Sequence, residues 1–369
     1  MAATYSIEVW HKDGYVLGDI SSFVTNFSWQ KTLNGSETLN VSIDMARFGQ
    51  YLSDIGYANR PYEFLEIGRT DIRIKRNGVY VLGANVAQIG YTANNTSVTM
   101  AIQCYGYLTY YKYRYFTGDY TNTPQADIIY DIIDQLNAET GGDYGVRQGT
   151  EFGTSYNRDR SYSNKEVKTL ITQMSEVLNG IDFSFNADKT LDIWNTATAC
   201  KGVYRPDVVL EYPLNIKGFS FYRTGSNVSN HVIAVGKAPS DGGSQSIVEV
   251  DDPTSENYLY RRSKMVTYNS VSDISTLTQH ANAVLYYTKD IIEIPNITVG
   301  DDVLDLSELD VGDTITVKMV GDVALSNING DYRIKSIQCR VDQNFGEEVT
   351  LNFDDIDINE IIQKQQESA

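Results

Sequence analysis

The stretch Ile72-Arg73-Ile74-Lys75-Arg76-Asn77-Gly78-Val79-Tyr80-Val81-Leu82-Gly83 decides the fold class. Apolar residues alternate with polar ones on both sides of an Asn-Gly pair, the pattern of two antiparallel strands joined by a tight turn. Asn and Gly tolerate the positive φ angles that such a turn requires. Outward from it the same texture recurs. Tyr5, Ile7 and Val9 alternate with Ser6, Glu8 and Trp10 before a turn at His11-Lys12-Asp13-Gly14. Phe27 and Trp29 share one strand face, Leu39, Val41 and Ile43 another, with Leu33-Asn34-Gly35-Ser36 between them. After a looser turn at Asn94-Asn95, Val98, Met100, Ile102 and Cys104 alternate with small polar residues. Many short strands with tight turns indicate a small barrel or sandwich.

From Tyr105 the texture changes. Tyr105, Tyr107, Tyr110, Tyr111, Tyr113 and Tyr115 crowd into eleven residues. Thr123-Pro124 then opens a helix whose stripe is Ile129, Ile132, Ile133 and Leu136, ending before Gly141-Gly142. A second helix is expected to start at Ser163 with Glu166 closing a capping box, to carry Val167, Leu170, Ile171, Met174, Val177 and Leu178, and to stop at Asn179-Gly180. Strands at 181–185 and 191–194 flank a turn at Ala187-Asp188-Lys189. Strands resume at 208, 216–222 and 231–236, and 238–246 reads as an exposed loop. A third helix carries Ile274, Leu277, Ala281, Val284 and Leu285, with Asp273 or Ser275 at its cap. The final strands are expected at 291–297, 314–320, 332–341 and 349–353, and Asp354-Asp355-Ile356-Asp357 favours a short closing helix. The order is therefore β, α+β, mixed, β: a β-rich α+β, multidomain chain.

Composition narrows the function. The chain has 369 residues, 41% of them apolar and 21% charged, as in ordered globular proteins, and it has no low-complexity stretch. With 30 basic and 48 acidic residues the net charge is −18. That balance argues against gripping nucleic acid, where clustered cations neutralise phosphates, but suits a surface past which DNA slides unbound. Cys104, Cys200 and Cys339 form no ligand pair and read as three buried thiols in a reducing cytoplasm. No signal peptide or membrane anchor is recognisable.

Catalytic chemistry is hard to find. His11, His231 and His280 lack ligand-spaced partners and read as structural; HExxH, a Gly-x-Ser-x-Gly elbow and a phosphate loop are all absent. Asp182, Asp188 and Asp192 fall on the expected hairpin and read as solvated turn and edge residues rather than a glycosidase pair. The oxygen-rich segment Gly300 to Leu306 does not fit an EF-hand. No cofactor or metal is expected, and no enzyme. Tyrosine is abundant, 27 against 12 Phe and 3 Trp. Its apolar ring and polar tip suit surfaces buried on assembly, and equally a sugar-stacking face. Tyr107, Tyr110, Tyr111, Tyr113 and Tyr115 are the candidate assembly or domain-junction aromatics.

Two segments resemble siphophage baseplate hub proteins of the Rhodococcus-phage Gp-thirty-seven-like type. The first is the opening hairpin continued through Val98–Cys104 to Tyr105-Gly106-Tyr107-Leu108. The second is Leu309-Asp310-Val311-Gly312-Asp313-Thr314-Ile315-Thr316-Val317 with Gly330-Asp331-Tyr332-Arg333-Ile334. These hubs are related in fold to the central hub of contractile phage baseplates. The resemblance implies two β-barrels with an α+β insert domain and a second small insert. It maps to 1–105 (first barrel), 106–200 (α+β insert), 201–236 plus 291–355 (second barrel), 237–290 (small insert) and 356–369 (terminal helix or tail). It further implies a homotrimer in the virion tail tip, made in the host cytoplasm. Such a trimer docks on a sixfold distal tail ring and other tail or baseplate proteins, and surrounds a channel through which DNA passes without specific binding. The net charge of −18 predicts that its bore is electronegative. A carbohydrate-binding tail protein that recognises the host cell wall is the alternative, and a wall-degrading enzyme the third reading.

Overall fold

The computed structural model describes residues 3–57, 61–177, 179–225, 228–238, 244–268, 271, 273–300, 303–321 and 328–353. Strands β1 (Tyr5–His11), β2 (Val16–Asp19), β3 (Val24–Thr32) and β4 (Thr38–Asp44) lead to helices α1 (Met45–Asp54) and α2 (Pro61–Phe64). Three longer strands follow, β5 (Thr70–Arg76), β6 (Val79–Ala93) and β7 (Val98–Gly106). A 3-10 turn over Tyr107–Tyr113 opens the next segment: β8 (Tyr115–Pro124), α3 (Gln125–Ala138), β9 (Arg147–Phe152), β10 (Asn157–Glu166), α4 (Val167–Glu176), β11 (Ile181–Phe185) and β12 (Thr190–Asn195). Beyond it come β13 (Tyr204–Tyr212), β14 (Ile216–Thr224), β15 (His231–Val235), β16 (Ile247–Asp251), α5 (Pro253–Leu259), β17 (Ser263–Thr267) and α6 (Ile274–Thr288). The chain closes with β18 (Ile292–Val299), β19 (Thr314–Met319), β20 (Gly330–Val341) and β21 (Glu347–Phe353).

The β5–β6 hairpin forms as the alternation dictates. Asn77 and Gly78 both take positive φ, 49° and 83°. Ile72 and Ile74 are fully buried and pair with Ala84 and Leu82. At Asn34-Gly35 only Asn34 is left-handed (φ 57°), and the loop spans five residues between β3 and β4. The side chain of Asn34 instead reaches the β11 strand: its Nδ2 donates to Asp182 and its Oδ1 accepts from the Phe183 N–H.

Most strands join one thirteen-stranded sheet, in the order β14-β18-β21-β20-β3-β4-β7-β6-β5-β1-β2, with β13 and β19 attached through β20. The N-terminal and C-terminal β blocks are thus continuous through a ladder from Ser336↔Thr32 to Val341↔Phe27. Among the described residues no closed barrel is formed. The period of two is plainest in β21, with Glu347, Val349, Leu351 and Phe353 buried and their neighbours half-exposed, whereas β5 is buried at almost every position.

The α+β segment packs its own core. Ile129, Ile132 and Ile133 of α3 meet Leu170, Ile171 and Met174 of α4 and Phe183, Leu191 and Ile193 of the β11–β12 hairpin. Here the expected capping box is corrected. Ser163 to Glu166 end strand β10, where Lys165 and Glu166 pair with Phe116 and Tyr115 of β8. Helix α4 starts at Val167, whose N–H donates to the Arg114 carbonyl, so the strand ladder outcompetes the cap. Asn179, at φ 56°, follows α4 at the expected stop.

Two compact units are distinguished. One comprises Met1–Ser175, Asn179–Phe219 and Asn296–Phe353; the other is chiefly Ser220–Pro295. In the latter, β15 pairs antiparallel with β16 and parallel with β17, and α6 packs Leu277, Ala281 and Val284 against Val232, Ala234 and Val266. Asp273 caps α6 by accepting from the Thr276 N–H. Strand β15, grouped by sequence with 201–236, belongs to this smaller sheet. The expected closing helix at 356–369 and much of the 238–246 loop lie outside the described residues.

Candidate assembly site

The tyrosine run begins where β7 ends at Gly106, whose N–H donates to the Glu37 carbonyl at 2.9 Å. A Cβ there would lie 2.9 Å from the Glu37 backbone nitrogen, so only glycine lets the chain turn so close. The following 3-10 geometry, three residues per turn, sets Tyr107 and Tyr110 in register and brings Leu108 and Tyr111 onto an adjacent face. Tyr107 and Tyr111 are fully buried, Tyr110 is half-buried against the same core, and Tyr113 and Tyr115 are 74% and 60% exposed. The five candidates therefore divide into three that pack and two that face solvent.

The packed rings use one another's faces. Tyr107 and Tyr110 stack with centroids 5.7 Å apart, and Tyr110 stacks on Tyr144 at 4.7 Å. Tyr111 meets Phe185 at 6.1 Å. Their polar tips are used too. Tyr110 donates to Asp71 Oδ1 at 3.0 Å, as does Asn85 Nδ2, and Tyr107 donates to the Ala187 carbonyl at 3.3 Å. Lys189, held at φ 71° in the β11–β12 turn, places its ammonium 2.8 Å from Asp71 Oδ2 and about 5 Å from the Tyr107 and Tyr110 rings. Burial pushes both phenols above their ordinary pKa. The run is a seam between β5 of the large sheet and the α+β segment.

A second seam runs alongside. Asp182, expected to be solvated, is 2% exposed, a correction that follows from its partners. It accepts from Asn34 Nδ2 at 2.8 Å, the Lys201 N–H at 2.9 Å and Arg333 Nη2 at 2.5 Å, joining chain segments far apart in sequence. Next to it, Asp310 accepts from Lys31 at 2.7 Å and Lys201 at 2.9 Å. Burial alone would raise the Asp310 carboxyl, but the two lysines hold it well below the usual range. Glu37 is buried with Oε2 unpaired, and burial pushes it up to about 7, the more distant Lys31 and Lys201 opposing only in part. The third tie is Arg76, which donates from Nε and Nη2 to Glu347 at 2.8 and 3.0 Å and from Nη1 to Asp305 at 2.6 Å. Tyr5 also donates to Glu347.

The remaining candidates resolve individually. Asp188 is exposed and caps the Thr190 N–H, while Asp192 accepts from the Thr150 N–H and Asn186. His231 is buried between Ser263 and Glu249, and His11 and His280 stack on Tyr15 and Tyr268. Cys104 and Cys339 are buried; Cys200 is exposed, which corrects the expectation of three buried thiols. Asp301 and Asp302 of the oxygen-rich segment lie outside the described residues, and no cluster suited to a metal ion is present among those described. No described helix is long and apolar enough to cross a membrane.

Among the described residues, tyrosine is the commonest of the exposed large apolar side chains. Tyr15, Tyr91, Tyr113, Tyr115, Tyr204 and Tyr286 are each more than half exposed, and Tyr258 and Tyr260 reach 73% and 87%. Tyr260 holds a positive φ of 62° at the end of α5, so its display costs backbone strain. Aromatic rings of this kind are enriched where protein surfaces meet.

No protein-family model matches the sequence, and no curated protein is similar to it. Solved structures are. A tail protein from Neisseria meningitidis MC58 superposes with TM-score 0.65 at 11% identity, over 99% of both chains. The 43 kDa tail protein of prophage MuSo2 from Shewanella oneidensis gives 0.66 at 11%, over 95% of this chain and 98% of its own. An Escherichia coli component of the type VI secretion system, described as similar in structure to the T4 bacteriophage tail proteins gp27 and gp5, gives 0.52 at 12%, over 90% and 73%. At these identities the likeness is one of fold: the chain is built, along nearly its whole length, on a fold found in phage and prophage tail proteins.

Proposed function

We propose that the chain is a structural baseplate hub of a bacteriophage tail tip. Three copies form a ring joining a sixfold tail tube or distal tail ring to the distal receptor-binding apparatus, and DNA passes through it unbound. The observation that carries this reading is the end-to-end likeness to a tail protein, 99% of each chain. On this reading the chain is a non-catalytic virion component. Its large-sheet strands act as two barrel-like units, 1–105 and 201–224 plus 292–353, with inserts at 106–200 and, carrying β15 to α6, at 225–291. Three chains then offer six similar units to a sixfold partner. The exposed tyrosines become buried on assembly, and the net charge of −18 makes the bore repel DNA.

The packing of Tyr107 on Tyr110, of Tyr110 on Tyr144 and of Tyr111 against Tyr144 and Phe185 favours this over the carbohydrate reading, because these rings are already engaged. Tyr113 and Tyr115 remain open to a sugar. Electron microscopy of the chain bound to its tail ring tests the proposal: threefold density with two β units per chain supports it. A monomer per ring, or saturable binding to cell-wall glycans lost in Tyr113→Ser/Tyr115→Ser, overturns it.

A further inference from the structure

Arg73 is a buried cation without a counter-charge. It is 7% exposed, its Nε is enclosed without a partner, and no carboxylate pairs with it among the described residues. Its guanidinium carbon lies 4.0 Å over the Trp10 ring, and the Tyr107 hydroxyl is beside it. The carboxylate directly across the ladder, Glu8, goes elsewhere, to Lys75 at 2.6 Å, Tyr80 at 2.7 Å and Trp10 at 3.0 Å. An unpaired buried charge is costly, and a charge-assisted contact from a ligand removes that cost.

Arg73 lines a cleft of about 780 Å³ beside the tyrosine seam. The other cations lining it are already paired: Lys12 with Asp13 at 2.6 Å, Arg147 with Asp143 at 2.7 Å, and Lys189 with Asp71 at 2.8 Å. Asp188, also in the lining, is exposed to solvent and accepts from the Thr190 N–H and hydroxyl, so it needs no cation. At Gly14, Gly68 and Gly141 on the rim an added Cβ would meet nothing within 4 Å, so the mouth is open.

We propose that this cleft binds one carboxylate, delivered by an acidic side chain of a neighbouring protein, with Arg73 as the group that receives it. A guanidinium placed 4.0 Å over an indole keeps its planar fork of N–H donors, which matches a two-oxygen acceptor. One uncompensated cation matches one negative charge, and the three aspartates of the lining oppose a dianionic phosphate. A protein carboxylate also fits the setting on the proposed tail reading, where protein chains meet; a second copy of this chain alone offers 48 Asp and Glu. The inference stands whether or not the copy number is three.

The test follows the Arg73 Nε–H signal of the full chain by nuclear magnetic resonance. The probes are glutamate blocked at both backbone ends, the equally blocked glutamine, glucuronate and inorganic phosphate. Blocked glutamate is expected to shift the signal saturably, and blocked glutamine to leave it unmoved. Arg73→Gln should weaken blocked-glutamate binding, followed by the remaining cleft signals, by about tenfold or more, and Arg73→Lys by less. An otherwise unchanged spectrum reports that the variants fold. No response to any anion overturns the site. Tighter binding of glucuronate or phosphate than of blocked glutamate overturns the protein source in favour of a sugar or a phosphate polymer.

Discussion

Replacing Asp182 with alanine removes the acceptor at the centre of the seam between the large sheet and the α+β segment. Three donors lose their partner: the Asn34 amide, the Lys201 N–H and the Arg333 guanidinium. A buried donor left unsatisfied costs about 1–3 kcal/mol, and breaking a buried ion pair about 3–5 kcal/mol. Arg333 is 28% exposed, so water replaces part of its loss, whereas the donors beside Asp182 are deeper. The expected destabilisation is about 3–5 kcal/mol, since losses within one network do not add. Urea unfolding followed by tryptophan fluorescence reads it, because Trp10, Trp29 and Trp194 all lie in the unit that contains Asp182. The midpoint should fall by about 1 M or more. Asp182→Asn, which keeps an acceptor oxygen and the volume, should fall in between. Asp207→Ala, which removes a well-exposed partner of Arg205, should cost no more than about 1 kcal/mol. A loss below about 1 kcal/mol for Asp182→Ala, or one matching the Asp207 control, refutes the reasoning.

Gly202 and Gly312 pack back to back at φ 88° and 95°, and a Cβ on Gly202 would sit 2.1 Å from the Gly312 carbonyl carbon. Gly202→Ala should therefore prevent folding or cost several-fold more than Gly141→Ala, where space is open and only about 1–2 kcal/mol of left-handed strain applies; thermal denaturation compares them. Glu37 has its folded pKa raised from 4.5 to about 7, so the native chain keeps a proton that the unfolded chain has lost. Its contribution is full below the unfolded value and declines as pH rises to the folded one, by about 3 kcal/mol in all. Glu37→Gln should remove that decline and be more stable than the parent at pH 8; equal pH slopes for the two proteins contradict the burial reading. In the native protein a thiol reagent should modify Cys200 alone at once, with Cys104 and Cys339 reacting only on denaturation, since both are buried and burial raises the Cys104 thiol.

What the sequence discloses is what local periodicity encodes. Ile72/Ile74 against Val81 and Leu82 specify a hairpin because the turn residues sit between them, and α6 is signalled by its stripe and its Asp273 cap. Strands β8 and β10 escaped because their inward positions include Gly118, Arg158 and Arg160, so no clear apolar alternation marks them. Ser163 to Glu166 satisfies a capping pattern, yet tertiary pairing with β8 decides its conformation. The burial of Asp182 was invisible because its partners come from positions 34, 201 and 333. The β3–β20 ladder, which makes one sheet of the two β blocks, likewise pairs residues some three hundred positions apart. In the tyrosine run, composition left a domain junction or subunit contact and a sugar-stacking face both open. Burial of Tyr107 and Tyr111 and exposure of Tyr113 and Tyr115 depend on tertiary packing that the run itself does not encode.

On the proposed function, the chain acts by assembling three copies of itself. Light scattering of the purified protein over a wide concentration range measures that most directly. A species at three times 41.4 kDa is the predicted result. A chain that stays at its own mass at every concentration, or settles as a dimer, contradicts the account.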